Sequence, residues 1–516
     1  GPGQLAAQAS DEEQERVGTI RGQILDAETL LPMPGVEVTA RSARQANRPT
    51  SISGEDGWFT LPDVGVGTYT LSATHLGYAT RYLSDVVVRS ARITFVEVSL
   101  ETAPIEMEGI TVTSGFFRKE EEEATSQTGY SGEEIRRAPG SAGDVSRIFM
   151  TLPSVAKVSD QSNGLAVRGG NPSESRFFLD NIEIPNINHF PSHGSSSGPI
   201  SLLNTDLIKD ASFHTGGFSS RFGDRLSSVM DISLREGNRE EFDGQLDLNF
   251  TGFGAVMEGP MGGGDGSFLF SLRRSYLDLV VDAVGTDADV APRYTDATLK
   301  LAWDLNLSHR LVALGILGLD DISSTYDAAI ENDLDIYGGQ KVQEGAVGLD
   351  WQAIWSGSFL SNTTVSFLTT GFEDDFMETV SESILIDKDA TESAVSFRNQ
   401  NQLRFGSSAT FRFGGDAKLI KTDFQQHMAE YTGSLGQTIP EMNMDDVLTT
   451  GQAGAFASLT VRPLPRLTAT VGVRSDYFEH TADLSVSPRA NLSLQATELT
   501  SLNVSAGIFR QNLPMV

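Results

Sequence analysis

The sequence predicts a mainly β protein whose larger part is an antiparallel transmembrane β-barrel, and three observations carry that prediction. From about residue 242 to residue 509, short segments place an apolar residue at every second position, and the apolar series carries no charge. Ala490, Leu492, Leu494 and Ala496 alternate with Arg489, Asn491, Ser493 and Gln495. Leu502, Val504, Ala506 and Ile508 alternate with Ser501, Asn503, Ser505 and Gly507, and Ala297, Leu299, Leu301, Trp303 and Leu305 with Asp296, Thr298, Lys300, Ala302 and Asp304. Strand side chains point to opposite faces with period two, so one face meets lipid and the other a wet or protein-filled lumen. Second, no stretch approaches the roughly 18 uncharged apolar residues that a helical span requires. Third, a hydrophobic fraction of 39% with 51 glycines suits strands joined by tight turns better than a helical bundle.

A chain of 516 residues is too long for one ordinary domain, so several units are expected. The absence of cysteine removes disulfides and thiolate metal sites together. A net charge of -31 argues against nucleic acid as a partner, because tracking phosphates needs clustered Lys and Arg. Ala7-Gln8-Ala9 followed by Ser10-Asp11-Glu12-Glu13 reads as the end of a secretory signal, so residues 1–16 are expected to be a signal-peptide remnant and tail.

Residues 17–101 alternate strand-like runs, Thr19 to Leu25, Val36 to Ala40, Thr68 to Ala73 and Ile93 to Leu100, with turn residues such as Asp56-Gly57 and Gly65-Val66-Gly67. The pattern predicts a small β-sandwich. Gly18 and Gly22, Pro34-Gly35-Val36-x-Val38, Asp56-Gly57-x-Phe59, Gly67-x-Tyr69-x-Leu71 and Gly77-Tyr78 resemble the carboxypeptidase-regulatory-like domain. That resemblance implies a binding or spacer module without catalytic residues. Residues 102–129 read as a charged linker, with Arg118-Lys119 and Glu120 to Glu123. Within it Glu108, Gly109, Ile110, Thr111, Val112 and Thr113 form an extended segment that could be the last strand of the sandwich or a site for strand addition by a partner.

Residues 130–236 are glycine-rich and lack the barrel alternation. Four ordered motifs resemble the plug domain of TonB-dependent outer-membrane receptors: Leu152-Pro153-Ser154-Val155, with Ser154 in place of the usual Gly; Val167-Arg168-Gly169-Gly170; Leu179-Asp180-Asn181-Ile182; and Gly217 to Arg225 followed by Val229-Met230-Asp231-Ile232. The resemblance implies a mixed α+β plug inside a barrel of 22 strands, and plug-motif roles for Arg168, Gly169, Asp180, Arg221, Gly223, Asp224 and Arg225. It also makes Glu108 to Thr113 the TonB box, gripped from the periplasm by TonB and its proton-driven inner-membrane motor.

Residues 241–516 supply about thirteen strands, with short turns at Asn306 to Ser308 and Pro463 to Arg466 and longer acidic loops between. Val516 is not the aromatic residue that usually ends an outer-membrane barrel. An open sheet in lipid strands roughly ten backbone groups at several kcal/mol each, so the expectation is a C-terminally truncated barrel with about 13 of 22 strands. No Gly-Lys-Ser or Gly-Lys-Thr phosphate loop, dinucleotide fingerprint, His-Glu-x-x-His or Gly-x-Ser-x-Gly occurs, so neither an enzyme nor a cofactor is expected. His189 and His193 flank Phe190-Pro191 in a Ser- and Gly-rich loop and are candidate substrate contacts on the outward face, though two loop histidines alone make no metal site. Arg221, Asp224 and Arg225 are expected where plug meets wall, as latch or as static packing, and only one of Arg273 and Arg274 can face the lumen.

The resemblance implies energised import of a scarce nutrient across the outer membrane of a diderm bacterium, with the sandwich in the periplasm. Siderophore, cobalamin, glycan and peptide cargo all remain open, as does a surface lipoprotein partner. The alternative is a non-transporting binding or adhesion protein on the same scaffold.

Overall fold

The computed structural model describes residues 17–102 and 126–512, apart from 28, 30, 43–46, 90–92, 141–143, 158–161, 249–251, 277–291, 407, 433–437, 465 and 498–499. The chain divides into two compact units, residues 1–114 and 115–516. The Glu108 to Thr113 segment lies outside the described residues.

In the first unit, Val17–Asp26 lies between Trp58–Gly65, antiparallel, and Ile93–Leu100, parallel. A second sheet orders Thr50–Ile52, Glu37–Arg41, Gly67–Thr74 and Arg81–Val88. Alternation drives the packing: every second residue of Val17–Asp26 is buried, and Ile20, Ile24, Val38, Phe59, Leu61, Tyr69, Leu71 and Val98 form one core. Gly22 faces that core where a Cβ would fall 2.5 Å from the Val96 side chain, so the close approach needs glycine. Tyr69 anchors the turn before its own strand, its hydroxyl donating to the Gly65 carbonyl at 2.8 Å.

The second unit is built as a wall and a filling. Thirteen strands, Asp243–Leu248 through Thr500–Gly507, pair antiparallel in chain order as one sheet among the described residues. Along Ile336–Ser356 the even-numbered residues Val342, Glu344, Ala346 and Asp350 are buried toward the lumen, whereas Val347 and Leu349 stand outward. The outward series continues through Val365, Phe367, Val395, Phe397, Leu419, Leu459, Val471 and Val473, all exposed. An apolar belt of this size would be an aggregation hazard in water and is what lipid requires.

Five strands, from Ile336–Ser356 to Met442–Leu464, are 20 to 23 residues long. Crossing the apolar layer takes about 9–11 tilted residues, so these strands continue well past it. The outward face marks where the apolar layer stops: Lys341, Glu373, Asp375, Asp387, Asp389, Lys421 and Asp423 all lie toward the ends joined by the longer loops.

The filling is a mixed sheet ordered Ile182–Ile184, Ser175–Leu179, Ser228–Leu234, Ile208–His214 and Gln127–Ser131. Ser175–Leu179 is buried along its whole length and pairs in parallel with Ser228–Leu234, as expected of a strand covered on both faces. The helix Gly132–Arg137 starts at a capping box between Ser131 and Glu134, and Val145–Phe149 is capped by Asp144. Phe149, Phe177, Leu179, Phe213, Met230 and Ile232 form its core, which continues onto the wall through Val256, Leu269, Leu314, Ile316 and Ala346. This domain touches wall strands from Asp243–Leu248 to Asp483–Thr497, so the sheet curves around it.

Candidate functional site

Two of the plug motifs carry plug backbone or side chains to the wall, and a third turns within the plug. Asp180 and Asn181 form the two-residue loop between paired Leu179 and Ile182, with φ of 47° and 66°. Both residues at positive φ is the twist-matched hairpin turn, and Asp and Asn are the side chains that tolerate it. The tip meets the wall: Lys300 Nζ lies 2.8 Å from Asp180 Oδ2, and the Asn181 amide donates to Thr364 Oγ1 at 2.6 Å and Asp350 Oδ1 at 3.2 Å. Arg168 and Gly169 form another left-handed turn, with φ of 51° and 82°, and Arg168 donates to Ser126 Oγ within the plug.

The Gly217 to Arg225 loop meets the wall chiefly through its backbone carbonyls. Arg221 lies over the Phe222 ring and 3.9 Å from Asp231, Asp224 pairs with Arg176 at 3.4 Å, and Arg225 donates to the Ser175 carbonyl at 3.0 Å. These partners belong to the plug, and Asp224 also accepts the Asn512 N–H at 2.8 Å from beyond the last wall strand and a hydrogen bond from Gln452 of the wall. The bridging cations come from the wall instead. Arg489 donates to the backbone carbonyls of Phe218, Ser219 and Phe222, and Arg474 to that of Arg221 while held by Asp416 and Asp476. Gly223 is the surface on which Arg474 rests, since a Cβ there would sit 2.0 Å from its Nε.

A charged seam adjoins this loop. Arg176 lies 3.4 Å from Glu183, which accepts from Lys418 of the wall at 2.7 Å, and Arg398 stacks on Phe178 at 4.2 Å. Burial opposes ionisation of Glu183 and Asp224, yet Arg176 and Lys418 hold the first carboxyl, and Arg225 and Arg176 the second, well below their usual range. Both therefore remain anionic at neutral pH. A cavity of about 30 Å³ lined by these side chains has space for one or two waters. A seam of this kind holds a plug in register while leaving contacts that water can replace one at a time.

The two histidines go to different places. His189 is 0% exposed, its ring nitrogens facing Asp320 at 2.6 Å and Asp296 at 3.1 Å, both on the wall. Burial disfavours its charge, but hydrogen bonds to those carboxylates outweigh burial and raise its pKa above the ordinary value. It offers no nitrogen to the outside, which corrects the expectation of an outward contact at this residue. His193 is half-buried, stacked on Phe424 and edge-on to Phe372, and burial together with nearby Lys388 lowers its pKa to about 4. Arg273 turns inward to Asp296 at 2.9 Å, whereas Arg274 donates to the Ser275 carbonyl.

Sequence reasoning did not single out Arg474, Arg489, Lys418, Asp296 or Asp320. Their one sequence signal is a charge in the lumen-facing series of an otherwise lipid-patterned strand.

Comparison with known proteins agrees with this architecture. Residues 19–101 match the carboxypeptidase regulatory-like domain, residues 119–228 the TonB-dependent receptor plug domain, and residues 285–510 the TonB-dependent receptor-like β-barrel. The TonB-dependent transporter Oar of Myxococcus xanthus is 25% identical over 239 residues, which span 45% of this chain and 22% of that protein. The fold is similar to a mutant of the ferric enterobactin receptor PfeA of Pseudomonas aeruginosa, with a TM-score of 0.56 and 16% identity over 74% of this chain and 62% of that one. It is also similar to the siderophore receptor PirA of Acinetobacter baumannii, with a TM-score of 0.54 and 14% identity over 73% and 60%. The chain thus spans less than two thirds of the proteins it matches. With an apolar outward belt and with the plug and barrel domains both matched in order, the chain belongs to the TonB-dependent receptors of the outer membrane, with a carboxypeptidase-regulatory-like domain ahead of the plug.

Proposed function

We propose that this chain is the plug-bearing part of an active importer, which binds a scarce nutrient outside and admits it when the TonB complex, driven by the inner-membrane proton motor, pulls on the plug. The observation that carries the reading is the seating of the plug. Wall side chains hold it through Arg489, Arg474, Lys418 and Lys300, contacts that a directed pull breaks in sequence and that re-form afterwards. Residues Glu108 to Thr113, in the linker just before the plug, are the proposed grip, paired to the partner by strand addition. Ligand bound outside shifts the population of the accessible grip, so only loaded receptors are pulled. The cargo stays open among siderophore, cobalamin, glycan and peptide, and a surface lipoprotein remains a candidate partner.

Strand addition uses main-chain hydrogen bonds, and proline removes the donor and fixes φ near -65°. Ile110→Pro with Val112→Pro in the full-length protein is expected to abolish energised uptake while surface binding of the same nutrient stays within about twofold. Normal uptake by the double variant would refute the grip. A wild-type protein that binds but imports nothing would instead favour display or adhesion.

A further inference from the structure

His189 sits on a two-residue hairpin of the plug, Asn188–His189 against Ile200–Ser201. The wall holds both strands of it, because Arg273 also donates to the Ser201 carbonyl at 3.0 Å. A neutral imidazole has one N–H and one bare nitrogen, whereas an ionised carboxylate only accepts. Two carboxylates facing the two nitrogens at 2.6 and 3.1 Å therefore require a proton on each nitrogen, unless an aspartate carries one. Both carboxylates already act as acceptors elsewhere: Asp296 accepts from Arg273 Nε at 2.9 Å, and Asp320 accepts the Phe190 N–H at 2.6 Å. The proton belongs to the imidazole.

The titratable groups that face this ring are Asp296, Asp320 and the buried carboxyl of Glu344 on three wall strands, with Arg273 the cation paired to Asp296. The Tyr294 ring packs on it at 4.4 Å. Glu344 is 3% exposed, and its Oε2 has no hydrogen-bond partner among the described residues. Asp296 and Asp320 against the one Arg273 leave one negative charge, and His189 supplies the compensating cation. Next to it, Phe190 adopts φ of 55°, a left-handed conformation that is strained for a bulky residue and is held through its bond to Asp320.

We propose that His189 is a proton-dependent clamp on plug seating: as an imidazolium it pins the hairpin between Asp296 and Asp320, and loss of its proton to solvent unseats residues 186–203. Deprotonation leaves a bare nitrogen against a carboxylate and frees Phe190 to relax. The group's charged form is favoured in the seated state, so seating is complete below the ordinary histidine pKa of about 6.5 and is lost as pH rises through the higher seated value. The clamp needs no transported ligand, so a failure to import any nutrient leaves it standing.

The test uses the full-length protein in lipid bilayers without ligand. Imidazole ¹⁵N spectra, with the His189 signal assigned by its loss in His189→Gln, are expected to show both nitrogens protonated at pH 7. Amide exchange over residues 186–203, corrected for intrinsic rate, is expected to lose at least tenfold protection in a one-proton step above pH 6.5. In His189→Gln protection is low and flat with pH, while Glu344→Gln keeps the step. A neutral His189 at pH 7, flat wild-type protection between pH 6 and 9.5, or loss of the step in Glu344→Gln would each overturn the clamp. The wild-type measurements decide even where a variant does not fold.

Discussion

Replacing Arg489 by alanine is the most direct probe of how the wall holds the plug. Arg489 is 8% exposed, and its Nη1 donates to three carbonyls of the plug loop, Phe222 at 2.8 Å, Phe218 at 3.2 Å and Ser219. One nitrogen has two hydrogens, so the three contacts amount to about two bonds. A hydrogen bond to a charged group contributes about 1.5–3 kcal/mol, giving roughly 3–6 kcal/mol for the pair. Water entering the vacated seam recovers part of that, leaving a loss of about 2–4 kcal/mol in local seating. At about 1.4 kcal/mol per decade, the open population of the loop rises roughly 30- to 700-fold. Native-state amide exchange over residues 217–224 of the full-length protein in lipid reads that population directly. Protection of the wall amides 470–474 should stay unchanged, and Arg489→Lys, which keeps the charge but loses the fork, should fall between wild type and alanine. Loop protection within threefold of wild type in Arg489→Ala would show that the arginine is not what seats the loop.

Two further outcomes follow from the same contacts. Gly223→Ala places a methyl 2.0 Å from Arg474 Nε, so the loop or the guanidinium must shift at a cost of about 1–3 kcal/mol; combining it with Arg474→Ala should cost less than the two single changes summed, by exchange over 217–224. His193 has the opposite sign to His189: its pKa of about 4 in the docked loop lies below the ordinary value, so docking is complete above pH 6.5 and weakens as pH falls toward 4. Quenching of a fluorophore on residue 195 should report that undocking, and His193→Phe should remove its pH dependence.

Much of the fold was legible because it rests on local periodicity. Alternation along Asp483–Thr497 and Arg293–Asn306 assigns lipid and lumen faces from composition alone, since a membrane admits few charges on one side of a strand. Turn chemistry was equally readable: Asn306 to Ser308 joins Arg293–Asn306 to His309–Ser324, and Gly57 stands at a φ of 75° just before Trp58–Gly65. The candidate site was less legible. Arg221, Asp224 and Arg225 read in sequence as a latch or as static packing; Arg221 and Arg225 find Asp231 and Ser175 within the plug, whereas Asp224 takes both Arg176 of the plug and the Asn512 N–H beyond the last wall strand.

What the amino-acid sequence determined by itself was the class of each segment and the face each wall residue presents, because those depend on neighbours two residues away. Which wall residue meets which part of the plug was decided only in three dimensions. Arg489 and Phe218 are separated by 271 residues, and His189 and Asp320 by 131. Such pairings depend on the register of successive strands and on the depth at which the plug seats, and each register step moves a lumen-facing charge along the wall without altering the alternation that predicts the strand.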